Sequence, residues 1–432
     1  MTAAQADSLV AASATVTGAT GEEASVRFLE ELRARVATFR DEAPSRDRER
    51  RYPFDEVEQL RNIKFWALNV PVEFGGLGLD RRTLIQAIIA VSSVDGSLGQ
   101  LPQNHFATVE RLLLSGSPEQ REFYLRELGS GAIFGNATAE PGERRPGEAH
   151  TTVVERDGRL YLSGRKVYAT GSLFGDFIAV QARNEAGGQE TVVVRPDDQG
   201  VVIHDDWDSF GQRTTGSGSA EFDDVEVQPI QLLSRSSDPA TTYRISALSQ
   251  LIHAAIDTGL AEGALYEALA LARRVHGGRG SGAAEFRDDV LGVAHLGELR
   301  IATTAARRLV ESAARRLDSL GPDTALSAVI DVFYEVVQAK VLSTRTALSV
   351  TTDLFDIGGS SSTKPAFGLD RYWRDARTHT LHDAVRWKPY SLGKWLIDEE
   401  VADAWSLARP LLPLADLENA ADDPVAFYGS AR

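Results

Sequence analysis

Apolar positions along this chain fall into three successive rhythms. From Ser25 to Glu42, the residues Val26, Phe28, Leu29, Leu32, Val36 and Phe39 lie largely on one face at helical spacing. A short helix is expected to open at Pro53, where a missing N–H is harmless in a first turn, and to carry Val57, Leu60 and Ile63. The Pro/Gly loop from Asn69 to Gly78 leads to Asp80, a fitting N-cap for a helix through Leu84, Ile88 and Val91. Another helix runs past His105 to Leu114. Ser117-Pro118-Glu119-Gln120 then has the form of a capping box before Phe123, Leu125 and Leu128.

In the middle of the chain the period changes to short alternating or β-branched runs. They cover Thr151 to Glu155, Leu160 to Leu162, Lys166 to Ala169, Phe177 to Gln181, Thr191 to Val194, Val201 to His204 and Ala220 to Val227, and Asp-Gly, Gly-Gly and Asp-Gln-Gly turns separate several of them. That spacing fits a small β-barrel or sandwich. Beyond Thr241 the strands stop, and helical patterns cover Thr242 to Val275, Asp288 to Leu320 and Ala325 to Leu354, as expected of an antiparallel bundle. The expected organisation is a disordered tail over 1–24, a helical domain over 25–132, a β domain over 133–238 and a helical bundle over 239–432.

Composition narrows the function classes. With 432 residues, 43% of them hydrophobic, the chain has enough apolar material for two or three packed domains. Its net charge of -16 repels phosphate backbones and anionic lipid heads, which argues against nucleic-acid and membrane partners. The N-terminus shows no basic region before an apolar core, so the cytoplasm is the expected compartment. Arg46, Arg48, Arg50 and Arg51 alternate with acids and read as the solvated start of a helix. Zero cysteines exclude disulfides, thiolate metal sites and cysteine nucleophiles. The single methionine is Met1. Either drift replaced methionine with other core residues, or the protein is made when sulfur is scarce.

Four segments carry a resemblance, in order. They are Ala139-Glu140-Pro141-Gly142 with Thr138 before it, Lys166-Val167-Tyr168-Ala169-Thr170, Gly211-Gln212-Arg213-Thr214-Thr215 followed by Phe222 to Val227, and Arg374-Asp375-Ala376-Arg377. They resemble motifs of the acyl-CoA dehydrogenase superfamily. The implied fold is α+β: an N-terminal helical domain, a central β-barrel and a C-terminal four-helix bundle. Where the dehydrogenases commonly place a glutamate base, this chain has Asp383 within His382-Asp383-Ala384, and the shorter carboxylate suits proton abstraction less well. Arg377 to Asp383, Asp205-Asp206-Trp207 and Leu101 to Phe106 are instead similar to the reduced-flavin monooxygenase branch, which includes dibenzothiophene monooxygenase and the sulfur-acquisition oxidoreductases linked to dimethyl sulfone use.

That resemblance implies oxygen insertion into a small organosulfur compound through a flavin C4a-hydroperoxide, with reduced FMN supplied by a separate NAD(P)H-dependent reductase and FAD as the other possible flavin. By resemblance His382 handles a proton, and Asn136 and Thr170 sit by the flavin, with His105 a further catalytic candidate. Thr138, Tyr168, Trp207 and His379 belong to the cofactor site, as does the loop residues Gly359, Ser360 and Ser361, which in the family reach a neighbouring subunit's flavin. Gln100 and Asn104 stand where a relative has bulkier side chains and favour a smaller, more polar substrate. No metal site is expected, although His379 and His382 are spaced as ligands on one helical face. A homotetramer is implied as well. The alternatives are a nitrogen or carbon hydroxylase on the same fold, an FAD-containing acyl-CoA dehydrogenase, and a non-catalytic flavin-binding or scaffold protein.

Overall fold

A computed structural model describes residues 19–142, 150–233, 236, 238–278, 280–405 and 411–420. The helical layer at the N-terminal end comprises α1 (Ala19–Ala37), α2 (Ala43–Glu49), α3 (Phe54–Asn62), α4 (Arg81–Ser92), α5 (Gly96–Gln100), α6 (Pro102–Ser115) and α7 (Pro118–Gly129). Helix α1 begins six residues before Ser25, inside the span expected to be a tail, and residues 1–18 lie outside the described ones. Glu22 in its first turn complements the partial positive charge of the helix start. The helix also stops earlier than its apolar spacing predicts, because a bend over residues 38–42 precedes α2, whose first turn contains Pro44. Asp80 caps α4 through the Thr83 N–H at 2.7 Å, and Ser117 and Gln120 form a reciprocal capping box on α7.

The β domain contains β1 (Phe134–Ala137), β2 (Thr152–Arg156), β3 (Arg159–Lys166), β4 (Phe177–Arg183), β5 (Gln189–Val194), β6 (Val201–Ile203), β7 (Ala220–Val227) and β8 (Leu232–Leu233). Their order in the sheet is β6-β7-β3-β2-β4-β5-β8, with β1 parallel to β4 and Asn136 opposite Ala179. The sheet's end strands, β6 and β8, do not pair with each other. Sequence periodicity misses β1, since Phe-Gly-Asn-Ala has neither alternation nor β-branched residues and is held by its parallel neighbour. The strand expected over Lys166 to Ala169 ends at Lys166 because Tyr168 takes a left-handed backbone conformation at φ 55°.

Three long helices follow, α8 (Pro239–Ala272), α9 (Val290–Asp318) and α10 (Leu326–Gly358), then α11 (Asp370–His379) and α12 (Lys388–Asp398). A small hairpin of β9 (Glu400–Ala402) and β10 (Leu411–Pro413) leads to α13 (Leu414–Ala420). Helix α8 is the axis of the molecule. It packs on α10 and α9 on one side and on α4 and α6 on the other, and is buried nearly all round through its middle. One apolar core therefore runs from Phe28 and Leu32 on α1, through Leu84 and Ile88 on α4, to Leu251, Ile330 and Leu354 in the bundle. A second cluster joins α6 and α7 to the sheet.

Candidate active site

The end of β1 and the end of β3 build one polar ledge. Buried Glu140 accepts the backbone N–H groups of His150 and Thr151, at 2.5 and 3.0 Å, and the Lys166 ammonium at 2.7 Å. Burial alone pushes this carboxyl up, but the ammonium and the two N–H groups outweigh it and hold it down at about 2. Lys166 also donates to the Thr138 carbonyl at 3.1 Å, and the Val167 N–H bonds the Ala139 carbonyl at 2.9 Å. The Asn136 N–H donates to the Thr170 carbonyl at 3.0 Å, while the Thr138 hydroxyl donates to Asn136 Oδ1 at 2.6 Å. Asn136, Thr138, Tyr168 and Thr170 are thereby brought together. Tyr168 is 59% exposed and sets its ring edge against Trp207, with centroids 6.0 Å apart.

A hydroxyl chain ties this ledge to the loop before β7. Thr170 Oγ1 and Thr215 Oγ1 each lie 2.7 Å from Ser217 Oγ, and Thr215 donates to the Gln212 carbonyl at 3.0 Å. Trp207 Nε1 donates to that same carbonyl at 2.8 Å. The loop is docked on helices. The Gln212 N–H donates to Asp375 Oδ1 at 2.5 Å, its side chain reaches the Gly96 carbonyl at 3.2 Å, and Arg50 holds the Trp207 carbonyl. Gly211 lies so close to the Arg374 carbonyl and the Thr378 hydroxyl that a Cβ has no room. Burial, followed by the nearby charge of Asp47, pushes Asp375 up to about 8.

Four titratable groups stack up where α11 ends against α8. Asp257 is wholly buried; its Oδ2 accepts Lys340 Nζ and Thr344 Oγ1, both at 2.8 Å, and its Oδ1 lies 2.5 Å from His379 Nδ1. His379 Nε2 is 3.0 Å from His253 Nδ1, and the His253 ring lies over the His382 ring with centroids 3.9 Å apart. The neighbouring Asp383 pairs with Lys388 Nζ at 2.7 Å, and Lys388 also donates to Gln250 at 3.0 Å. His382 is exposed just beyond the end of α11, with one ring face against His253. Desolvation pushes His382 down to about 4 and holds His253 well below the ordinary imidazole value. The same burial lowers His379 despite the attraction of Asp257.

The other expected residues divide. Asn104 donates to the Gly135 carbonyl at 3.2 Å, one residue from Asn136, and so lies beside the ledge. Gln100 is buried, and its Oε1 meets no protein donor. His105 is placed differently from expectation. Its Nε2 donates to the Trp66 carbonyl at 2.6 Å, its Nδ1 accepts the Phe134 N–H at 3.1 Å, and burial pushes it down to about 4. With both nitrogens committed and no exposed surface it is a core histidine that pins α6 to β1. Gly359, Ser360 and Ser361 form an exposed turn after α10, and among the described residues no hydrogen bond links them to the ledge. His379 spends both nitrogens on Asp257 and His253, which removes it as a metal ligand alongside His382. The reading of Arg46 as solvated is also corrected. Its guanidinium is fully buried between Glu56 and Asp95, with the Asp95 contacts at 2.7 and 3.0 Å.

Residues 23–132, 136–225 and 251–387 match, in turn, the family models for the acyl-CoA dehydrogenase N-terminal, middle and C-terminal domains. A Pseudomonas putida protein described as "Probable FMNH2-dependent monooxygenase SfnC" is 30% identical over 371 residues, which are 84% of this chain and 92% of that one. The chain belongs to the flavin-dependent monooxygenases of the acyl-CoA dehydrogenase fold. A dibenzothiophene monooxygenase from Mycolicibacterium goodii is 29% identical over 362 residues, covering 80% of this chain and 87% of its own length. Among solved structures, FMN-bound TdsC from Paenibacillus sp. A11-2 superposes with a TM-score of 0.84 at 28% identity, over 88% of this chain and all of that one. Methanesulfinate monooxygenase MsuC from Pseudomonas fluorescens gives 0.82 at 29% identity, over 88% and 99%.

Within this monooxygenase fold, the residues that sequence reading missed are His253, Asp257, Lys340 and Lys388. Helix α8 has apolar residues on every side, with polar ones scattered among them, so no periodic face singles out its polar members. The available signal was two titratable residues one helical turn apart, His253 within the otherwise apolar run Leu251 to Ile256 and Asp257 directly after it.

Proposed function

We propose that this monooxygenase uses reduced FMN, delivered by a separate NAD(P)H-dependent flavin reductase, to insert one atom of O2 into a small organosulfur compound. The observation that carries the reading is a hydroxyl-rich ledge tied to a loop that docks on α11 through Asp375, the helix just beyond whose end His382 is exposed. The donor set fits a flavin. Asn136, Thr138 and Thr170 offer hydrogen bonds suited to the edge of a polar ring system, and Tyr168 and Trp207 supply an aromatic wall. Reduced flavin, when bound, supplies the two electrons that activate oxygen.

The chain's own residues do the rest. His382 is uncharged at neutral pH, so it hands a proton on rather than holding one in reserve. The docked loop from Trp207 to Ser217 fixes Trp207 and, through Ser217, Thr170, and a flavin seated on the exposed Tyr168 face would exclude water there, which suppresses loss of oxidant as hydrogen peroxide. Asn104 beside the ledge and the unpartnered Gln100 Oε1 on the preceding helix supply polar groups suited to a sulfinate, sulfone or sulfoxide. Acyl-CoA dehydrogenation is disfavoured because the carboxylate in the position of the base, Asp383, is paired with Lys388. Relatives are described as acting on dibenzothiophene and on methanesulfinate, and the polar groups of Asn104 and Gln100 favour the smaller class. Two further parts of this reading are a homotetramer and a cytoplasmic enzyme. Among the described residues no helix is long and apolar enough to cross a membrane.

The test combines purified protein, a flavin reductase, NAD(P)H, FMN and ¹⁸O2 with methanesulfinate, dimethyl sulfone, dimethyl sulfoxide and dibenzothiophene. One labelled oxygen per product molecule is expected with at least one of the small compounds. Stoichiometric peroxide with no labelled product from any of them sinks the reading.

A further inference from the structure

The orphaned nitrogen of His253 fixes the direction of a buried hydrogen-bond chain. Asp257 is held ionised by Lys340 and His379, so His379 Nδ1, 2.5 Å from Asp257 Oδ1, carries a proton. A neutral His379 then has a bare Nε2, and the His253 Nδ1 that sits 3.0 Å away must be its donor. His253 is left with a bare Nε2 on the far side of its ring. That atom is fully buried and meets no protein donor among the described residues, a state that costs about 1–3 kcal/mol in a finished core. A core retains such a group when a proton or a polar partner reaches it during function.

We infer that Asp257, His379 and His253 form a proton relay whose outer end is His253 Nε2 and whose charge state biases His382, the imidazole tilted against it. The inference rests on the proposed oxygenase function and deepens it. A proton arriving at His253 Nε2 releases the Nδ1 proton to His379 Nε2, and the positive charge comes to rest on His379 against the Asp257 carboxylate. The reverse shift returns one proton to the outer end, and no bond other than N–H is made or broken. The groups facing His253 are His379 and His382 at the end of α11, Lys340 from α10, Lys388 from α12 and Asp257 on its own helix. The two rings are tilted by 33° with centroids 3.9 Å apart and no hydrogen bond joins them among the described residues, so they are coupled through space: a proton on the relay disfavours one on His382. His253 is thus a positioning residue that acts through His382.

The test replaces His253 with Phe, which keeps the stacked ring and removes both nitrogens, and Asp257 with Asn, which keeps the shape and removes the charge. With reductase, FMN and an accepted sulfur substrate, product formation is expected to fall about 10- to 100-fold, with peroxide rising in its place. Reduced-FMN affinity should stay within about threefold, and the acid limb of the pH–rate profile should flatten. If H253F does not fold, D257N carries the same readouts. Histidine-labelled ¹⁵N spectra of the wild type at pH 7.5, assigned by comparison with a His253 variant, should show a protonated Nδ1 and a bare Nε2 on His253. A bare Nδ1 there, or wild-type rates and pH profile in both variants, overturns the relay. H382A is measured beside them. If it abolishes oxygenation while H253F and D257N keep it, the relay fails and the proposed function stands. If H382A leaves oxygenation intact, the proton-handling role of His382 falls and takes the relay with it, while the oxygenase reading, carried by labelled product, stands.

Discussion

At the scale of single residues, environment more than identity sets what each group does. Three histidines show this. His105 has both nitrogens bound and serves the core, His379 spends both on Asp257 and His253, and His382 keeps an exposed face. Sequence gives all three the same letter, and resemblance proposed catalytic roles for His382 and His105 alike, the second of which its two core hydrogen bonds correct. Arg46 is the reverse error. An alternation of charges reads as solvated until the fold brings Glu56 and Asp95 round it, and neither is near enough in sequence for any local pattern to announce the pairing. Replacing Arg46 with Met strands two buried carboxylates, and the expected loss is about 3–5 kcal/mol of unfolding free energy, read from urea denaturation. An unchanged midpoint would mean that the two acids find water or protons elsewhere.

Among the elements, those defined by short-range chemistry were legible and those defined by partners were not. The capping box on α7, the Asp80 cap on α4, the β-branched strand β5 and the largely alternating strand β7 follow directly from neighbouring residues. Strand β1 was hidden because its pairing with β4 supplies what its own sequence lacks, and the polar pair on α8 was hidden because a helix buried nearly all round has no separate polar face. The ledge residues Asn136, Thr138, Tyr168 and Thr170 were found through motifs, yet their mutual geometry depends on Glu140 and Lys166. The loop's seat on α11 is similarly exacting. Gly211→Ala forces a methyl group against the Arg374 carbonyl, and a loss of about 1–3 kcal/mol in thermal unfolding is expected together with weaker FMN binding. A variant with wild-type melting and affinity would show that the loop moves freely away from α11.

For the molecule as a whole, the buried imidazoles set the response to acid. His105, His253, His379 and His382 all titrate below their unfolded value in the folded chain. The sign follows from linkage: the unfolded chain binds these protons first, so the stability they contribute is complete above about pH 6.5 and is lost as the pH falls through their lower folded values. Asp375 acts oppositely, since its folded value is raised to about 8 and its contribution fades as the pH rises between the unfolded carboxyl range and there. Asp318, also raised by burial, acts in the same sense as Asp375; four imidazoles oppose these two carboxyls, and the urea midpoint at pH 5 is expected below that at pH 7. A flat profile would mean that the imidazoles are hydrated and titrate normally.

Trp207 gives this enzyme an optical reporter of its own. Its indole is pinned by a hydrogen bond to Gln212, its backbone by Arg50, and its ring meets the exposed Tyr168. A yellow cofactor settling on that wall will drain the excited state of this indole before that of the deeply buried Trp66. Occupancy is therefore readable as a fall in ultraviolet emission, with no dye attached and no turnover required, and Trp207→Phe supplies the blank.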